Sequence, residues 1–223
     1  MRTKSGPSSQ DRQEQLAALF RAARVIPVLT IERPEHAVPL ARALVAGGVR
    51  VLEVTLRTPV AIAAARAIMA DVPEAVVGIG TILNPDDLVR AEALGAAFGI
   101  SPGATPDLLR AAAASTLPFA PGIATASDLM QTQAHGFHVV KFFPAESSGG
   151  IRALRALAGP FPQARFCPTG GIAEANAAEW LGEPNVVAVG GSWLCPAAEI
   201  RAGHWAGISA ICARTMKALK PCV

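Results

Sequence analysis

The sequence predicts an α/β chain closed into a single (β/α)8 (TIM) barrel, with an extra helix ahead of the first strand. Three observations predict it. Short apolar runs alternate with longer Ala-rich amphipathic runs about eight times along the 223 residues. The short runs are apolar at nearly every position, as in strands covered on both faces. Helices between successive strands impose parallel pairing through right-handed crossovers. An open doubly wound sheet is the alternative. It would carry a Gly-rich turn after the first strand, where Ile31-Glu32-Arg33 stands instead.

The elements follow in order. A helix at residues 11–23 precedes strands at residues 25–29, 49–54, 75–79, 97–100, 117–120, 138–142, 164–167 and 186–189. Helices begin near Pro34, Pro59, Pro85, Pro106, Ser127, Gly150, Glu174 and Pro196. Proline in a first helical turn loses no hydrogen bond, and Thr58, Asn84 and Thr105 are placed to cap free amides. Gly47-Gly48, Gly95 and Gly136 mark helix ends, where glycine takes the left-handed turn cheaply.

The bulk composition sets bounds. Hydrophobic residues make up 51% and charged residues 17%, enough for one sizeable core and too apolar for a disordered chain. Residues 1–10 are polar and read as a disordered tail, leaving residues 11–223 as one domain. They lack the apolar stretch of a secretory signal. No uninterrupted apolar run approaches the ~20 residues of a membrane span. The net charge of +3 is scattered, without a Lys/Arg block or interleaved aromatics, which argues against nucleic acid. The cysteines Cys167, Cys195, Cys212 and Cys222 form no C-x-x-C pair and read as free thiols in a reducing cytoplasm. His36, His135, His138 and His204 show no ligand spacing, so neither a metal nor a cofactor is expected.

In a barrel, chemistry belongs where strands run into the following loops. Lys141 stands out there, because it sits inside the apolar run Phe137 to Phe143. Desolvation favours a neutral amine, and a neutral amine near a strand end can attack a ketone to form a Schiff base. Period-two alternation puts Val49, Val51 and Glu53 on one face, and Lys141 on a face with Val139. If both faces point inward, an amine nucleophile meets a proton shuttle. A buried structural ion pair is the competing reading. Arg57 could hold a substrate carboxylate bidentately or be a solvated surface arginine. Thr81 could donate to the same carboxylate or serve its own turn. Thr169-Gly170-Gly171 and Gly190-Gly191-Ser192 follow the seventh and eighth predicted strands, where barrels often bind phosphate. Cys167 reads as a packed thiol.

Taken together, Leu52-Glu53-Val54-Thr55-Leu56-Arg57-Thr58, Gly80-Thr81, Ile100-Ser101-Pro102-Gly103, Val140-Lys141-Phe142-Phe143-Pro144-Ala145-Glu146, Phe166-Cys167-Pro168-Thr169-Gly170-Gly171-Ile172 and Gly190-Gly191-Ser192-Trp193-Leu194 resemble the 2-keto-3-deoxy-6-phosphogluconate (KDPG) / 4-hydroxy-2-oxoglutarate (KHG) aldolases. The likeness runs in the same order from about Val25 to Ile211. It implies a metal-free class I aldolase on a (β/α)8 barrel, usually a homotrimer. Such an enzyme cleaves KDPG to pyruvate and D-glyceraldehyde 3-phosphate in the Entner–Doudoroff pathway, and KHG to pyruvate and glyoxylate. By the same match Lys141 forms the Schiff base and Glu53 shuttles protons. Arg57 and Thr81 hold the pyruvyl carboxylate. Pro102, Phe143 and Thr169 line the pocket, and Gly170, Gly171, Gly191 and Ser192 bind phosphate. Ile79 stands where the family tends to have a small residue, and Ser147-Ser148 where Ala-Asn is more usual. The competing functions are an aldolase for the C4 epimer 2-keto-3-deoxy-6-phosphogalactonate, a phosphate-binding barrel isomerase with no covalent lysine, and a non-catalytic sugar-phosphate binder.

Overall fold

The computed structural model describes residues 8–219. Residues 1–7 of the expected tail, and Cys222, lie outside the described residues. The first helix, α1 (Ser9–Ala23), begins before the expected residue 11. The cause is a capping box: Ser8 Oγ accepts from the Asp11 amide, and the Asp11 carboxylate accepts from the Ser8 amide.

The strands are β1 (Val25–Leu29), β2 (Val51–Thr55), β3 (Val76–Gly80), β4 (Phe98–Ile100), β5 (Phe119–Ala120), β6 (Gly122–Ile123), β7 (Val139–Phe142), β8 (Arg165–Pro168) and β9 (Val189–Gly191). Between them run α2 (Ala37–Ala46), α3 (Ala61–Asp71), α4 (Pro85–Leu94), α5 (Pro106–Ala114), α6 (Ala126–Ala134), α7 (Gly150–Ala158) and α8 (Ala177–Leu181). The chain ends in α9 (Ala197–Ala202) and α10 (Trp205–Ala218). All pairings are parallel, in the order β9-β1-β2-β3-β4-β5 and β6-β7-β8. Bridges Phe166↔Val186 and Thr169↔Gly190 join β8 to β9 and close the ring. β5 and β6 are two halves of the fifth barrel strand, interrupted by Pro121, which has no amide to donate. The Pro121 carbonyl still accepts from the Lys141 amide at 2.9 Å, so β7 keeps its register across the break.

Several boundaries differ from expectation for local reasons. Thr58 does not cap α3: its hydroxyl donates to the Ile31 carbonyl at 2.6 Å, and the helix starts at Ala61. Asn84 and Thr105 do cap, accepting from the amides of Asp87 and Leu108. The predicted eighth strand sits later, at Val189–Gly191, because Val186 makes only the isolated bridge to Phe166. The last predicted helix is two, divided at Gly203, whose φ of +67° suits glycine.

Alternation along each strand sorts the core into two shells. Leu29, Leu52, Val54, Ile79, Phe142 and Phe166 pack outward against the helices. Ile26, Val51, Phe98, Ile100, Val139 and Cys167 point inward and meet Leu16, Ala17 and Phe20 of α1. Phe20 lies edge-on to Phe98, with ring centroids 5.3 Å apart. Gln13 of α1 is buried at the same end. Its Nε2 donates to the Phe119 carbonyl, and its Oε1 accepts from the amides of His138 and Val139. The N-terminal end of the barrel is therefore stoppered by α1. A cavity of about 460 Å³ beside the stopper, lined in part by Gln13, His138 and Arg165, contains none of the candidate site residues. No helix among the described residues is long and apolar enough to cross a membrane.

Candidate functional site

Glu53 on β2 and Lys141 on β7 both point into the barrel. Their strands stand on opposite sides of the ring, so the two side chains meet across its diameter. Lys141 Nζ donates to Glu53 Oε1 at 3.0 Å, with side-chain exposures of 5% and 2%. Two such long side chains fit because β3, next to β2, turns glycines inward at the level of the pair, at Gly78 and Gly80, with Val76 inward only nearer the stoppered end. A Cβ at Gly78 would run into the Phe98 ring, and one at Gly80 would fall 2.1 Å from Glu53 Oε1. The Gly80→Ala variant is expected to lose about 1–3 kcal/mol of stability by overpacking and to displace the carboxylate. Urea unfolding read beside the cleavage rate checks both; wild-type values in both would contradict the packing.

The surroundings of the pair are apolar. The Phe143 ring centroid lies 5.5 Å from Lys141 Nζ, within cation–π range. Cys167 is the register partner of Lys141 on β8. Burial pushes its thiol up to about 12, against the pull of the Lys141 charge, so it stays protonated at neutral pH. Burial likewise raises Cys195 and Cys212 to about 12. All three are free and buried, and Cys167 packs as expected.

At the C-terminal mouth of the barrel lies a cavity of about 180 Å³, lined by Val28, Thr30, Arg57, Phe143, Thr169, Gly170, Gly171, Ile172, Gly191 and Ser192. It brings together seven of the predicted site residues, and the Phe143 ring links it to the lysine. Arg57 is exposed there and pairs with no carboxylate among the described residues. Gly170 and Gly171 have φ values of +96° and +84°, and a Cβ at Gly190 would fall 2.3 Å from Thr169 Oγ1. Glycine at 190 thus lets the second turn lie against the Thr169 side chain, and glycines at 170 and 171 supply the left-handed backbone of the first. Among the described residues no hydrogen bond uses the amides of Gly171 and Ile172, which leaves donors available to an anion.

Thr81 and Pro102 are not among the lining residues. Thr81 follows β3 with φ +60°, unusual for a β-branched residue. The preceding Gly80 carbonyl accepts from the Leu56 amide, tying this turn to the one that carries Arg57. Pro102 packs its carbonyl onto Gly122, where a Cβ would come within 2.2 Å. Gly122 is the other register partner of Lys141, so Pro102 lies one strand from the amine. Val28, Thr30 and Ile172 were not anticipated. The signal for the first two was present, because Ile26, Val28 and Thr30 share the inward parity.

Fold and site together define a parallel α/β barrel with a buried amine–carboxylate pair near a small cavity at its C-terminal mouth. The comparisons make the class a carbon–carbon lyase of the aldolase type. A family model described as "KDPG and KHG aldolase" matches residues 16–211. A relative from Escherichia coli strain K12, KHG/KDPG aldolase, is 53% identical, over 91% of this chain and 95% of its own. The crystal structure of KDPG aldolase from Legionella pneumophila, with pyruvate captured at low pH as a covalent carbinolamine intermediate, matches with TM-score 0.87 and 47% identity, covering 89% of this chain and 97% of that one. The Zymomonas mobilis enzyme with 3-phosphoglycerate matches with TM-score 0.87 and 45% identity, covering 94% and 98%. This chain belongs to the KDPG and KHG aldolase family.

Proposed function

We propose that the protein is a class I aldolase that cleaves KDPG to pyruvate and D-glyceraldehyde 3-phosphate, and also KHG to pyruvate and glyoxylate. The observation that carries this reading is the buried Lys141 Nζ–Glu53 Oε1 contact of 3.0 Å beneath a cavity bordered by Arg57 and the glycine turns. Proton transfer along that contact frees the amine lone pair. Lys141 then attacks the C2 ketone to give a carbinolamine, and loss of water gives the protonated imine. Glu53 takes the C4 hydroxyl proton, directly or through water. The C3–C4 bond breaks, its electron pair enters the enamine, and the aldehyde leaves. Protonation at C3 and hydrolysis of the imine release pyruvate and restore the lysine.

Arg57, with Thr81, holds the pyruvyl carboxylate. Pro102, Phe143 and Thr169 wall the reacting carbons, and Gly170, Gly171, Gly191 and Ser192 receive the phosphate. Fixing both anionic ends places the reacting bond between amine and carboxylate. The bound ligands of the two relatives, a pyruvate carbinolamine and a phosphorylated acid, support this division of the site. From the family resemblance we further read a cytoplasmic homotrimer serving the Entner–Doudoroff pathway.

The test is trapping. Incubation with pyruvate and borohydride, followed by peptide mass spectrometry, is expected to place the reduced adduct on Lys141. An adduct elsewhere, or none, would sink the reading. Faster turnover of the 6-phosphogalactonate epimer would keep the chemistry and reassign the substrate.

A further inference from the structure

Glu146 lies outside the cavity, yet it is tied to the turn that closes it. The segment after β7 is hydrogen-bonded to the segment after β8. The Ala145 amide donates to the Thr169 carbonyl at 2.8 Å, and the Glu146 amide to the Gly170 carbonyl at 3.0 Å. The Glu146 stem crosses directly over Gly171, where a Cβ would meet its Cγ at 2.4 Å. Its carboxylate then takes two donors on one oxygen. Asn176 Nδ2 and Trp180 Nε1 both donate to Glu146 Oε1 at 3.1 Å. Glu146 is exposed, but Trp180 is buried in the outer core, so the anchor is rigid.

Asn176 completes the brace. Its Oδ1 accepts from the Ala173 amide at 2.8 Å, and its Nδ2 donates to the Gly171 carbonyl at 3.2 Å. A peptide group is planar and trans, so its C=O and N–H point in opposite directions. Holding the Gly171 carbonyl towards Asn176 turns the Ile172 amide, in the same peptide plane, the other way. Among the described residues that amide, like that of Gly171, has no acceptor, and Gly171 and Ile172 both border the cavity.

We propose that Glu146, acting through Asn176 and Trp180, is a positioning residue that holds the Gly170–Gly171 turn in its phosphate-accepting form. It thereby favours phosphorylated over unphosphorylated substrates. The inference rests on the KDPG reading of the same cavity. A brace that merely secured α8 would affect all substrates alike. A brace on the anion donors affects only the substrate that carries the phosphate, since KHG has none.

The test compares KDPG and KHG cleavage by wild type, Glu146→Ala, Glu146→Gln and Trp180→Phe. Glu146→Ala is expected to raise KM for KDPG about tenfold, equivalent to about 1.4 kcal/mol, with kcat little changed. Its KM for KHG, and its unfolding midpoint, are expected to stay near wild type. Inorganic phosphate, as an inhibitor of KHG cleavage, is expected to weaken in parallel. Glu146→Gln keeps an oxygen acceptor and is expected to restore KDPG binding. Trp180→Phe removes one donor and should fall between. Equal losses on both substrates, an unchanged KM for KDPG, or a Gln variant as impaired as Ala would each overturn the proposal. Should wild type cleave neither substrate, the KDPG reading itself fails and this inference goes with it.

Discussion

A Lys141→Met variant is expected to lose carbon–carbon cleavage by roughly 10⁴- to 10⁶-fold, the scale seen when a covalent nucleophile is removed. Borohydride trapping with pyruvate is expected to give no adduct. The same change strikes the fold, because Glu53 is buried at 1% exposure and Lys141 Nζ is its hydrogen-bond partner. Breaking a buried ion pair by removing one member costs about 3–5 kcal/mol, whereas replacing both members with apolar groups of similar volume is often neutral or stabilising. The double variant Lys141→Met, Glu53→Leu should therefore recover stability in urea unfolding while staying inactive. That outcome separates the catalytic loss from misfolding. Cleavage at the wild-type rate by either variant contradicts the mechanism.

Glu53→Gln isolates the proton shuttle. The amide has nearly the shape of the carboxylate and retains an oxygen for the lysine, but it cannot accept a proton at neutral pH. The expected loss in kcat is about 10²–10⁴-fold, the usual range for a positioned acid–base group. KM for KDPG should change much less, since the proposed holders of the two anionic ends, Arg57 and the glycine turns, are untouched. Steady-state kinetics on KDPG and KHG give both numbers. Here the loss should be similar for the two substrates, in contrast to the selective loss expected from Glu146→Ala. A Gln variant with unchanged kcat would assign the proton transfers elsewhere.

Much of this site is legible in the chain because local rules carry it. Alternation in Val51-Leu52-Glu53-Val54 and Val139-Val140-Lys141-Phe142 is enough to turn the glutamate and lysine to one side of their strands. Closing the barrel does the rest, since inward side chains on opposite strands must meet. The capping box at Ser8 and Asp11 was also present in the sequence, in the pattern Ser-x-x-Asp, and explains the earlier start of α1. Thr58 misled for the opposite reason. It has the right residue type before a proline, but the Ile31 carbonyl, distant in sequence, competes successfully for its hydroxyl. The Glu146–Asn176–Trp180 brace is equally a product of tertiary structure. Its members are 30 and 34 positions apart, and no periodicity announces it. Val28 and Thr30 enter the cavity only because strand closure brings β1 beside β9.

The stopper at the other end of the barrel bears on traffic. Gln13 pairs with the Phe119 carbonyl of β5 and with the amides of His138 and Val139 at the entry to β7, and Leu16, Ala17 and Phe20 fill the space behind it. Among the described residues the barrel is thus filled at its N-terminal end, and the cavity bordered by Arg57 and the glycine turns lies at the opposite mouth. In the proposed chemistry the phosphorylated aldehyde must back out before a molecule of water can follow the same route inward to cut the imine. The three-carbon acid, still tethered to Lys141, waits behind both. A shortened chain lacking α1 would open a back door through which solvent could reach the tethered intermediate early.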